Sequence, residues 1–117
     1  MPTSVFVVHT NAVEGDDEEF NAWYNDTHLG DIVAVPGITR ARRYVPAAAA
    51  NQALKDQGFT PLEGFDYLAI YEIEGDPEAA ITAMNAAVSA GMHISSTLAS
   101  KVYATVYSPL TEWVTAD

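Results

Sequence analysis

The hydrophobic pattern of the chain predicts four strands and two helices. Apolar residues alternate with polar ones, or β-branched residues cluster, in four short runs that are each bounded by turn-forming residues. Apolar residues recur at helical spacing in two longer segments, one after the first run and one after the third. The strands are predicted at residues 4–10, 38–45, 66–74 and 101–108.

The first helix is predicted to carry an aromatic stripe. Four residues at spacing four fall on one face of a helix, and Trp23 lies beside them: Phe20, Tyr24, His28 and Ile32. Asp16 and Glu19 have the spacing of a capping box at the start of this helix. Pro36-Gly37 ends it, because neither residue favours continuation of a helix.

The second helix is predicted to begin at Pro77, with Asp76 as its N-cap. It runs to about Ser89, and its apolar face is expected to contain Ala80, Met84, Ala87 and Val88. Residues 46–65 join two strands and are largely irregular, apart from an alanine-rich start that could form a short helix. A connection this long is often functional, so we expect it to cover a ligand pocket as a lid.

The order β-α-β-β-α-β is that of the ferredoxin-like fold, here a single α+β domain over residues 1–117. Right-handed crossovers place both helices on one face of a four-stranded antiparallel sheet. The other face would then be bare, yet its residues are apolar. We therefore expect a homodimer that forms through the sheet faces.

Composition and charge narrow the classes of partner. The 117 residues carry a formal net charge of −11 with only five Lys and Arg, so neither nucleic acid nor an anionic membrane surface is an expected partner. There are no cysteines, which excludes disulfides, thiolate metal sites and a cysteine nucleophile. The N-terminus has no basic region followed by a long apolar run, so a cytoplasmic location is expected.

The segment EEFNAWYNDTHLGDIVAVPGITRARRY, followed by GFDYLAIYEIEG, resembles the dimeric α+β barrel superfamily, and within it small proteins related to the EthD group. The resemblance covers about residues 4–90. It implies a dimer through the sheet faces and a small-molecule pocket between the helices and the sheet of each subunit. The superfamily includes cofactor-free polyketide cyclases, lactone isomerases, dehydratases, antibiotic-biosynthesis-type oxygenases and haem-degrading enzymes.

His28 is the principal candidate for chemistry. The resemblance implies a histidine at this position facing the pocket, where a neutral imidazole could act as a general base with Tyr24 beside it. The alternative is a core histidine that is hydrogen-bonded to a backbone carbonyl. A metal site is not expected, because Asp31 gives only a two-ligand face and His9 would have to supply the third ligand. No cofactor is expected either.

Five further residues are candidates for substrate binding: His9, Trp23, Tyr67, Tyr71 and Arg40. Alternation on the first strand places His9 on one sheet face but does not say which. Each tyrosine has cross-strand packing as its alternative role, and Arg40 has a salt bridge. His93, in the connector after the second helix, is expected to be a solvated loop residue.

The sequence is compatible with three functions. The first is a cofactor-free lyase or isomerase (a dehydratase, cyclase or isomerase) acting on a small, largely apolar or aromatic carbonyl or hydroxyl compound, with His28 as the base. The second is a cofactor-independent oxygenase of the antibiotic-biosynthesis type. The third is a non-catalytic dimer that binds a small molecule.

Overall fold

The computed structural model, which describes residues 3–116, confirms the predicted α+β ferredoxin-like fold. One antiparallel sheet has the strand order β2-β3-β1-β4, and the predicted strands match within two residues at each end. The elements are β1 (Thr3–Thr10), α1 (Asp17–Trp23), a π-helical turn (Tyr24–His28), α2 (Leu29–Val33), β2 (Ile38–Tyr44), α3 (Ala48–Asp56), β3 (Tyr67–Glu74), α4 (Pro77–Ser89) and β4 (Tyr103–Tyr107).

The first predicted helix runs without a break from Asp17 to Val33, but its middle five residues form the π-helical turn. There the N–H of Leu29 donates to the carbonyl of Tyr24, five residues back. In a regular α-helix, residues five apart are separated by about 140° around the axis. The π-helical turn removes most of that separation and so brings Trp23 and His28 onto the same side. Such turns are frequent at functional sites.

The two predicted helix caps have different outcomes. The Asp76 side chain accepts a hydrogen bond from the Glu78 N–H (3.1 Å), with Pro77 at the first helical position, so this prediction is confirmed. The predicted capping box at Asp16 is wrong, because the Asp16 side chain makes no capping hydrogen bond. Three acidic residues fill the first turn of α1 instead, where the helix dipole favours negative charge.

Burial alternates strictly along β1 and defines the two sheet faces. Ser4, Phe6, Val8 and Thr10 are buried beneath the helices, while Val5, Val7 and His9 are only part-buried on the other side. We call that other side the open face, because neither α1–α2 nor α4 covers it. The core lies between the helices and the inner face, and its most completely buried large side chains are Phe20, Tyr71 and Ile73.

Gly37 fixes how closely the helical layer approaches the sheet. Its φ of +94° is a conformation that side chains with a Cβ rarely adopt, and a Cβ at this position would lie 3.1 Å from the Ala80 Cβ. The Gly37 carbonyl accepts from the Glu74 N–H (2.9 Å), which ties the turn to the end of β3. The predicted Pro-Gly stop therefore also permits the packing of α4.

The segment of residues 46–65 lies over one end of the open face. It includes α3, of which no side chain is buried, and it lines a pocket together with His9, Tyr44 and Leu68. None of its residues lines the cavity beside His28. The segment therefore lies away from that cavity and beside a different pocket, and its role as a lid over a ligand pocket stays a prediction. Within residues 3–116, no helix is long and apolar enough to cross a membrane.

Candidate functional site

A cavity of about 180 Å³ lies between the first helical run, α4 and the inner face of the sheet. Its lining is apolar except for a few polar groups. We call it the His28 cavity, and it is lined by Phe6, Val8, Thr10, Tyr24, His28, Ile32, Tyr71, Met84, Val88, Ile94, Leu98, Val102 and Ala104. An apolar cavity with few convergent polar groups is the usual form of a small-molecule site.

The connector between α4 and β4 covers the His28 cavity, since it contributes Ile94, Leu98 and Val102 to the lining. Its backbone is fastened to the loop after β1. Val13 N–H donates to the Thr97 carbonyl (2.7 Å), and Ala99 N–H donates to the Asn11 carbonyl (3.0 Å). This cover is therefore held in place by main-chain hydrogen bonds.

The His28 ring is held by aromatic contacts. It stacks on Trp23 with the ring centroids 4.4 Å apart, and it meets Tyr24 edge-on at 4.9 Å. Its Nδ1 atom is buried and has no hydrogen-bond partner among residues 3–116, and the same is true of Trp23 Nε1. The alternative of a core histidine held through Nδ1 by a backbone carbonyl is therefore not what the structure contains.

Burial keeps His28 neutral at physiological pH. Its pKa is lowered from 6.5 to about 4, mainly because burial desolvates the ring; Asp31 opposes this shift and the nearby Arg43 charge adds to it. A neutral imidazole retains a lone pair and can accept a proton. Trp23 beneath the ring would favour the imidazolium once it formed, because an indole face attracts a cation.

This shift predicts a pH dependence of stability. An unfolded chain binds a proton at His28 below about pH 6.5, whereas the folded protein does not bind it until about pH 4. Stability should therefore fall as the pH is lowered across that interval. The contribution is at most about 1.4 kcal/mol per pH unit, and smaller because the half-buried ring is partly screened by solvent.

Urea unfolding of the wild type and of His28→Gln at several pH values measures this contribution. The free energy of unfolding of the wild type should decline more steeply between about pH 6.5 and pH 4, since glutamine binds no proton there. Parallel curves for the two proteins would show that His28 titrates alike in the folded and unfolded chain.

Tyr24 and Tyr71 supply a hydroxyl pair on the cavity wall. Their Oη atoms are 3.0 Å apart in a buried hydrogen bond, and desolvation raises the pKa of both phenols. Both are therefore protonated near neutral pH. One hydroxyl hydrogen is used in the bond between them, which leaves the second free to donate to a ligand oxygen.

Arg43 lies beside the cavity residue Tyr24 but was not among the candidate site residues predicted from the sequence. Its guanidinium lies 4.3 Å from the centroid of the Tyr24 ring, and its Nη1 donates to Asn25 Oδ1 (2.8 Å). Burial lowers its pKa. Alternation along β2 offered a signal, because it separates Arg43 from Arg40 and Arg42 and pairs it with Ala69 on the inner face.

Two predicted substrate-binding residues lie away from the His28 cavity. His9 is on the open face, where its ring lies 5.5 Å from that of Phe65. Arg40 is exposed on the same face, and its Nη2 is 2.8 Å from Glu72 Oε2. Both side chains therefore lie on the opposite side of the sheet from His28, because strand alternation points them there. Their role in substrate binding stays a prediction.

The other three candidates lie on the inner side. Tyr71 lines the cavity and Trp23 stacks on His28. Tyr67 does not line the cavity: its Oη donates to Asp17 Oδ2 (2.6 Å) and accepts from Asn21 Nδ2 (3.2 Å), which fastens α1 to β3. His93 is exposed, as expected, with its ring edge-on to Trp23 at 6.4 Å.

Potential metal ligands do not cluster in the described part of the chain. No three side chains of His, Asp or Glu between residues 3 and 116 lie close enough to hold one ion. His9 cannot join His28 and Asp31, because the sheet lies between them.

Comparisons with known proteins agree on the fold. No protein-family model matches the chain, and no curated protein matches it in sequence. Among solved structures, an ethyl tert-butyl ether D (EthD) family protein from Bacillus halodurans C-125 aligns with a TM-score of 0.56 at 14% identity, covering 94% of this chain and all of that one.

Two further structures are similar. Rv0793 from Mycobacterium tuberculosis has a TM-score of 0.50 at 13% identity and covers 96% of this chain and 98% of its own. A candidate monooxygenase from Shewanella loihica PV-4 has a TM-score of 0.50 at 18% identity, covering 95% and 98%. The chain therefore has the ferredoxin-like α+β fold shared by EthD-type proteins, as its sequence resemblance implied.

Proposed function

We propose that this protein is a cofactor-free enzyme of the lyase or isomerase type that binds a small, largely apolar carbonyl or hydroxyl compound in the His28 cavity. The observation that supports this most is the convergence of a neutral imidazole and a phenol pair on one apolar cavity of about 180 Å³. The apolar walls suit a flat aromatic or aliphatic body.

In this mechanism His28 takes a proton from a carbon that is activated by a neighbouring carbonyl. The electron pair moves onto the carbonyl oxygen, and the free hydroxyl hydrogen of the Tyr24–Tyr71 pair stabilises that oxyanion. A pKa of about 4 makes the resting imidazole a weak base. The developing negative charge beside it favours the imidazolium and so raises its basicity during the reaction.

The unpartnered nitrogen atoms of the site also support a polar ligand. Buried polar atoms nearly always have a hydrogen-bond partner. Trp23 Nε1 and His28 Nδ1 have none within residues 3–116, and they belong to stacked rings. Of these two residues only His28 lines the cavity, so a ligand there that carries a hydrogen-bond donor would satisfy its nitrogen.

Solvent exchange tests the proposed chemistry without knowledge of the natural substrate. A panel of enolisable aryl ketones is incubated with the protein in deuterium oxide, and loss of the α-proton signal is followed by NMR. We expect exchange above the buffer rate for at least one compound. Ala104→Phe, which places a ring at the cavity wall, should suppress it, whereas Thr82→Phe on the exposed side of α4 should not.

The same panel separates the other two functions. Oxygen uptake with a hydroquinone, in the absence of α-proton exchange, would indicate a cofactor-independent oxygenase. The similarity to a candidate monooxygenase keeps that function as the second candidate. Binding with neither exchange nor oxygen uptake would indicate a non-catalytic binder.

We also propose that the protein is a homodimer that forms through the open face. Apolar side chains of three strands are left part-exposed there, among them Val5, Val7, Leu68, Ile70 and Tyr103. Stacking a second copy on this face would remove them from water. Size-exclusion chromatography with light scattering should give twice the mass of the chain, and a stable monomer at micromolar concentration would contradict the proposal.

A further inference from the structure

The C-terminal residues 108–116 form an arm whose large apolar side chains lie in water. Leu110 is 98% exposed, Trp113 94% and Val114 92%. The arm follows β4, which is an edge strand of the sheet. An aromatic side chain such as Trp113 can bury about 150–250 Å², so this residue and the two aliphatic ones on the same short segment form an unpartnered apolar surface.

A mainly apolar pocket, which could accept an apolar side chain of such an arm, lies on the open face. We call it the open-face pocket; its volume is about 260 Å³, and its lining is His9, Tyr44, Val45, Pro46, Asn51, Leu54, Pro61, Leu62, Phe65, Tyr67 and Leu68. An apolar cavity of about 150 Å³ already accepts benzene in another protein. The open-face pocket is therefore large enough for an indole ring.

Strand register places the arm and the pocket at opposite ends of the sheet. Tyr107, where β4 ends and the arm begins, is paired with Val5. The pocket includes His9, which lies at the other end of β1 and is paired with Tyr103. The arm thus leaves the sheet at the end remote from its own pocket, and Trp113 stays exposed.

We propose that each copy of this chain inserts Trp113 of its C-terminal arm into the open-face pocket of a second copy. In this dimer the two open faces stack on each other, and the two-fold axis runs between them, perpendicular to the strands. This arrangement brings the arm end of each sheet over the pocket end of the other. The exchange is then reciprocal, with the same contact made twice. This inference rests on the homodimer proposed above and adds to it the arm as the element that locks the two copies together.

Cysteine cross-linking tests the contact directly, because the natural chain has no cysteine. Val114→Cys and Leu62→Cys proteins, both altered at exposed positions and both retaining Trp113, are mixed and oxidised. We expect a covalent dimer that contains one copy of each variant, as identified by mass spectrometry. Val114→Cys mixed with Thr82→Cys, on the exposed side of α4, is the control and should give no more than background.

Dimer affinity provides the second test. Interface tryptophans are frequent hot spots, so Trp113→Ala should weaken the dimer by at least tenfold as measured by analytical ultracentrifugation. Thr111→Ala, on the same arm, should leave the affinity unchanged. An unchanged Trp113→Ala affinity, or a dimer without the specific cross-link, would overturn the arm exchange while leaving the sheet-face dimer standing. A monomeric wild type would overturn both.

Discussion

Phe20→Ala should lower the free energy of unfolding by about 3–5 kcal/mol, the range for removing a fully buried aromatic ring. Phe20 has no exposed surface, and its ring packs 5.4 Å from Tyr67 and 5.6 Å from Tyr24. The Arg43 guanidinium lies 5.5 Å from its centroid. The substitution would therefore leave a cavity where α1 meets the sheet.

Chemical denaturation measures this loss, with Phe59→Ala as the matched control. Phe59 is 63% exposed in the segment over the open face, so removal of its ring should change the stability by less than about 0.5 kcal/mol. Both variants must be compared with the wild type at one protein concentration, because the stability of the proposed dimer would depend on that concentration. Equal losses at the two positions would contradict the placement of Phe20 in the core.

His28→Ala should reduce the rate of α-proton exchange by about a hundredfold or more, because this is the usual effect of removing a general base. The protein should remain folded. The lost stacking on Trp23 and Tyr24 should lower the free energy of unfolding by only about 1 kcal/mol. Exchange rates and thermal melts of the same preparations measure the two effects separately.

His93→Ala is the matched control for His28→Ala. His93 is an exposed histidine 6.4 Å from the same tryptophan, and its removal should leave the exchange rate unchanged. A large loss of stability in His28→Ala, with the exchange rate retained, would contradict the role of the ring as a base and leave it a packing role.

The similar structures identify the fold of this chain but not the reaction that it is proposed to catalyse. At 13–18% identity they share the arrangement of helices and sheet with this chain. A single fold supports many unrelated reactions. The proposed chemistry therefore depends on His28, Tyr24 and Tyr71 of this chain, and the exchange experiment addresses those residues.

The sequence was sufficient for the four strands, the two principal helices and their order, because alternation and helical spacing are local properties of the chain. Strand alternation also separated Arg43 from Arg40, and the spacing of four put Tyr24 and His28 on one helical face. The Asp76 cap was predictable for the same reason, since its hydrogen bond spans only two residues.

Other features were decided by tertiary structure. Alternation divides β1 into two faces but cannot say which one the helices cover, so only the assembled sheet placed His9 on the open face. The helical spacing of the apolar residues did not reveal the π-helical turn, which accompanies the stacking of His28 on Trp23. The cover of the cavity also depended on contacts distant in sequence: residues 46–65 lie over the open face, and the connector after α4, fastened to the loop after β1, covers the cavity instead.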